Sequence, residues 1–132
     1  MRTFWDVKKG EAEYKELIYM NPFLAIVFNY LVAYALEHDL PVVVTSIGKP
    51  APGRIENSPH NPDPVHGIRA IDISVRHWTE LHINRAKKKI NIMYRDWGTG
   101  PLGKPSQAFL YHDAGTGNHI HLQVRRNIKL ND

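Results

Sequence analysis

The chain has 132 residues, no cysteine and a formal net charge of +4. That length fits one domain, residues 1–132, around one core. Without thiolates, disulfides and cysteine ligation are excluded, and any metal has to be held by His, Asp or Glu. The positive charge suits an anionic partner, a cell-wall polymer or nucleic acid, without choosing between them.

Residues 1–20 are mixed polar and aromatic, with a short helix expected around Glu11–Met20. The first nine residues lack the apolar centre of a signal peptide. Synthesis in the cytoplasm is therefore expected, with release at lysis or association with a virion as routes outward. Asn21-Pro22 reads as a helix start, Asn as cap and Pro at the first helical position. Phe23, Ile26, Val27, Tyr30, Leu31 and Tyr34 recur at helical spacing and predict a helix to about Glu37. The apolar run Phe23 to Leu36 is interrupted by Asn29 and falls short of the ~20 residues that a bilayer span needs. Pro41 to Ile47 is short and β-branched, a buried strand.

Gly48 to Gly67 holds five prolines and three glycines and cannot be regular structure. A loop this long in a small domain is usually functional or mobile. Arg69 to Val75 alternates as a strand, with Ala70, Asp72 and Ser74 on one face and Ile71, Ile73 and Val75 on the other. A helix follows from about Thr79, its cap, to Tyr94, with Glu80 in the first turn. Leu81, Ala86, Ile90 and Met93 are its expected buried stripe, and Arg85, Lys87, Lys88 and Lys89 its solvated face. Trp97 to Gln107 is a Gly/Pro-rich loop. Ala108 to His112 then enters a strand, a glycine turn and a second strand ending near Val124. Helices against a mostly antiparallel sheet make a small α+β sandwich.

Eight histidines are many for this length, and four fall between His60 and His82. His119 and His121 stand two apart on the last strand, so both face the same way, while Leu122 and Val124 point into the core. Rigid strand placement of two imidazoles is what a metal site needs; a plain surface hairpin is the bland alternative. Asp72 sits in a strand whose other face is aliphatic. A carboxylate there is costly unless it is paired, with Arg69 for example, or bound to a cation. A histidine on the preceding loop, His60 or His66, completes two His, one Asp and an open position, the usual plan of catalytic zinc.

These residues carry a resemblance. Ser-x-His or Val-His leading to Gly-Ile-Arg-Ala-Ile-Asp, then His-x-His, resembles the zinc peptidase superfamily of D-Ala-D-Ala carboxypeptidases, lysostaphin-type endopeptidases and the Hedgehog signalling domain. It is most similar to small bacteriophage proteins of the D-alanyl-D-alanine carboxypeptidase-like group. The resemblance runs from about Val42 to Arg125, and its specific part is under thirty residues. It implies an antiparallel sheet flanked by helices, and hydrolysis of peptide bonds in bacterial peptidoglycan. It also implies zinc held by a loop histidine, Asp72 and His121. The pattern usually leaves one residue more before the aspartate than the five between His66 and Asp72, while His60 leaves eleven. His60 keeps the Ser-x-His context and His66 the adjacency to the Gly-Ile-Arg-Ala turn; His66 is preferred and both stay candidates.

Many relatives carry a Glu general base three residues before the last ligand, where this chain has Asn118. His119 is then the expected base, having a suitable intrinsic pKa. Asp113 is a second candidate, better suited to orienting a histidine or capping the turn, and His112 a weaker third. Arg69 and Arg54 are the nearest cations for an oxyanion or a substrate carboxylate; strand alternation makes Arg69 structural first. Two other functions are weighed: a catalytically inactive structural or virion-associated protein of the same fold, and a nucleic-acid module. The second has only the charge and Lys87–Lys89 behind it, since no aromatic-interleaved basic strand is present.

Overall fold

The structure is a computed structural model and describes residues 5–8, 19–47, 65–99, 106–113, 118–126 and 128. Its order is β1 (Asp6–Val7), α1 (Pro22–Glu37), β2 (Val43–Ser46), β3 (Ala70–Ser74), α2 (Glu80–Met93), β4 (Phe109–Asp113) and β5 (Asn118–Gln123). The strands form one open sheet in the order β1-β2-β3-β5-β4. β1 and β2 are parallel and every other pair is antiparallel. This is the α+β arrangement that the strand and helix patterns predict.

α1 begins where the Asn-Pro pair predicts. The Asn21 carboxamide oxygen accepts from Phe23 N at 2.9 Å and Leu24 N at 3.4 Å, satisfying amides the helix leaves open. It ends by turning left-handed at Asp39, φ 56°. Leu40 N then donates to Ala35 O and Asp39 N to Leu36 O, which closes the last carbonyls. Leu24, Val27, Phe28, Leu31, Val32, Tyr34 and Ala35 are buried. Ile26, expected on that face, is 46% exposed because the buried line runs along the neighbouring Leu24–Val27–Leu31 row.

α2 starts at Thr79, whose hydroxyl oxygen accepts from His82 N. Its buried stripe is Ile83, Ala86 and Ile90. Leu81 and Met93 are instead more than half exposed, since the stripe that meets the sheet is narrower than the apolar positions suggest. The helices are antiparallel: Tyr30 meets Tyr94, and Tyr34 meets His82. They cover one face of the sheet, where Val44, Ile71, Ile73, Phe109, Ile120 and Leu122 are fully buried in one cluster with the helix residues.

β1 lies before the first element expected from the sequence; two residues are too few to show a period. Most of the helix expected around Glu11–Met20 falls outside the described residues, and Met20 itself bridges Ile68. The proline-rich segment also lies outside them up to residue 64. Its exit is built tightly. Gly67 has φ 68°, and a Cβ on it would collide with the carbonyl of Tyr19. Asn21 reaches across to this exit, donating Nδ2 to His66 O at 2.8 Å and N to Ile68 O at 2.8 Å.

Candidate metal centre

The centre lies on the sheet face opposite the helices and follows from one strand pairing. β3 and β5 run antiparallel with Asp72 opposite His121 and Ser74 opposite His119. Residues opposite each other share a face. The intervening pairs, Ile71 with Leu122 and Ile73 with Ile120, are fully buried on the other side.

One oxygen is the focus. Asp72 Oδ1 lies 2.8 Å from His121 Nδ1 and 3.4 Å from His119 Nε2. The three side chains are sheltered, with exposures of 17% for Asp72, 12% for His119 and 9% for His121. Their ligand atoms all lie within 4.8 Å of one another, a grouping able to hold a metal ion. Two imidazoles and a carboxylate are a donor set that suits divalent first-row ions. His121 has a second partner, Gln123 Oε1, 2.7 Å from its Nε2.

The described site candidates divide as follows. Asp72, His119 and His121 come together; His66 is not in the group, and its carbonyl is taken by Asn21. Arg69 is buried and donates Nη1 to Val124 O at 3.0 Å. It ties the entry of β3 to the end of β5, and alternation places it with Ile71 rather than with Asp72. His112 and Asp113 end β4, paired in register with His119 and Asn118; their side chains, and the whole of Arg54 and His60, lie outside the described part. Gln123 was not among the sequence candidates. Its signal was its place two residues beyond His121, in phase with His119 and His121.

Comparison with family models, with curated proteins and with solved structures finds no match to this chain. Among the described residues no helix is long and apolar enough to cross a membrane.

Proposed function

We propose that this chain is a zinc-dependent hydrolase of peptide bonds in bacterial peptidoglycan, with the ion held by Asp72, His119 and His121. The observation that carries it is the convergence of two imidazole nitrogens on one carboxylate oxygen in a sheltered site. Two ligands of one tetrahedral zinc stand about 3.3 Å apart at ordinary Zn–N and Zn–O lengths. His119 Nε2 and Asp72 Oδ1 have that spacing already. His121 Nδ1, at hydrogen-bond distance, has to open by about half an ångström. When bound, the ion supplies Lewis-acid polarisation of a carbonyl and a nucleophilic water at neutral pH.

The chain's own residues do the rest. Asp72 contributes the negative charge and the sheltered strand face limits competing water. His119 in this scheme is a ligand rather than the general base expected from the sequence. The substrate class is supported by the resemblance of Gly67 to Asp72 and of His119-Ile120-His121, and by a net charge suited to an anionic wall. The test is metal analysis of the purified protein together with muropeptide cleavage. Zinc at one equivalent and cleavage abolished by chelator or by His121→Ala are expected; absence of both refutes it. His119→Ala is expected to lose zinc and cleavage together. Zinc retained with cleavage lost returns His119 to the role of base.

A second reading has one observation in its favour. Asn118, exposed, stands where the zinc peptidases that the motifs resemble place a catalytic Glu, and among the described residues no second carboxylate joins the group. A structural or virion-associated protein that holds the ion without turnover fits this. Zinc present, no cleavage of any muropeptide, and His119→Ala indistinguishable from wild type on cell-wall substrates would select it.

A further inference from the structure

His121 meets an oxygen at each ring nitrogen: Asp72 Oδ1 at Nδ1, 2.8 Å, and Gln123 Oε1 at Nε2, 2.7 Å. A neutral imidazole has one proton, and both oxygens only accept. If Gln123 Oε1 receives that proton from Nε2, the electron pair of Nδ1 points at a carboxylate oxygen. Two electron-rich atoms at that separation repel each other unless a positive species lies between them. A proton can fill the gap, and so can a divalent ion with His119 Nε2 as its third neighbour.

We propose that Gln123 is the positioning residue of this centre: its carbonyl oxygen takes the Nε2 proton of His121 and commits Nδ1, on the Asp72 side, to the cation. The inference rests on the metal-centre reading of Asp72, His119 and His121. The fold supports the assignment. Gln123 is in phase with His119 and His121 on β5, and Ala70, directly opposite it on β3, brings no side-chain polar atom to compete for the amide. A ligating histidine ordinarily donates its other N–H to such an oxygen, which fixes both tautomer and ring orientation. Without Gln123 a neutral His121 is free to put its proton on Nδ1 and donate it to Asp72. The cation would then have to displace a bonded proton.

Gln123→Leu keeps the bulk and removes both polar atoms. Zinc affinity, measured by competition with a chromogenic chelator, is expected to fall about 10- to 100-fold, with an unchanged near-ultraviolet circular dichroism spectrum. Gln123→Glu retains an acceptor oxygen and is expected to bind zinc at least as tightly as wild type. A second readout needs no metal: in 15N-histidine-labelled, metal-free protein, His121 is expected to hold a proton on Nε2, and to shift toward the Nδ1 tautomer in Gln123→Leu. Wild-type affinity in the leucine variant, or a wild-type His121 protonated on Nδ1 alone, overturns the inference. Absence of zinc binding by wild type with the Nε2 proton still present removes the metal centre but leaves the hold of Gln123 on the ring. The two failures are therefore distinguishable.

Discussion

Replacing Asp72 by Asn removes the charge shared by His119 and His121 and keeps the size of the side chain. Asp72 and His121 are 49 positions apart, so the unfolded chain does not hold the site together, and an ion that binds it stabilises the fold by mass action. At a hundredfold excess over Kd that is about 2.7 kcal/mol. An unfolding entropy of about 2.1 cal/mol/K per residue amounts, over 132 residues, to about 0.28 kcal/mol/K. Saturating zinc is therefore expected to raise the wild-type melting temperature by about 10 °C. Loss of an orienting partner costs 10- to 100-fold in metal affinity, and loss of a charged ligand should cost at least the upper figure. At the same zinc concentration the variant keeps about 0.4 kcal/mol of stabilisation, a rise of under about 2 °C. In chelator the Asn amide still offers His121 Nδ1 a partner, its NH2 donating to the bare nitrogen, so the intrinsic loss is about 1 kcal/mol, or about 4 °C. Scanning calorimetry of both proteins with zinc and with chelator separates the two effects. A wild-type melting temperature that zinc does not move, or an equal rise in Asp72→Asn, refutes the ligand assignment.

Three further outcomes follow from the fold. Asn91 accepts from Ala108 N and Phe109 N through Oδ1 and donates to Phe109 O through Nδ2, clamping α2 to the start of β4. Asn91→Ala orphans buried backbone groups at about 1–3 kcal/mol each and should lower stability by at least about 2 kcal/mol in urea unfolding; a loss within error would show that the clamp carries nothing. Gly67→Ala combines a left-handed backbone with a collision against Tyr19 O, so it should cost more than about 1 kcal/mol in the same measurement, and a neutral result would contradict the turn. Burial raises the pKa of Tyr34 above the ordinary 10.0, with Arg85 opposing and Glu37 adding to it; Tyr94 is raised by burial and then by Tyr30. The folded chain keeps phenol protons that the unfolded chain releases near 10, so stability should be intact below pH 10 and decline above it. Denaturant midpoints unchanged across that pH would count against the burial.

The parts of this structure legible in the sequence are those whose cause is local. Asn21-Pro22 announces α1 because cap and first helical residue are neighbours, and alternation from Ala70 to Ser74 announces β3 because its two faces meet different surroundings. His119 and His121 are legible as a pair for the same reason. What local pattern cannot supply is the partner. Leu81 and Met93 have the spacing of a buried stripe, yet of the apolar residues of α2 only Ile83, Ala86 and Ile90 are buried, since the width of the contact is set by what the helix packs against. Asn91 looks like an ordinary polar residue of a basic helix until β4 arrives beside it. Arg69, weighed as a partner of Asp72, spends Nη1 on Val124 O, 55 positions away.

The same distinction explains how the centre acquires its accuracy. Nothing near Asp72 in sequence holds His121 against it; the register of β3 on β5 does. Slipping β5 by one residue along β3 would turn His119 and His121 away from Asp72 and bring Ile120 and Leu122 out of the core. Those two side chains are fully buried, at roughly 1.5–3 kcal/mol each for burial against exposure. A slip thus costs several kcal/mol before any polar contact is counted. The apolar face, which touches none of the donor atoms, is what fixes the 2.8 and 3.4 Å separations around Asp72 Oδ1. The centre can consequently carry polar and charged groups without setting the fold. For that reason substitutions at Asp72, His119, His121 and Gln123 are expected to change cation binding far more than they change the stability of the metal-free chain.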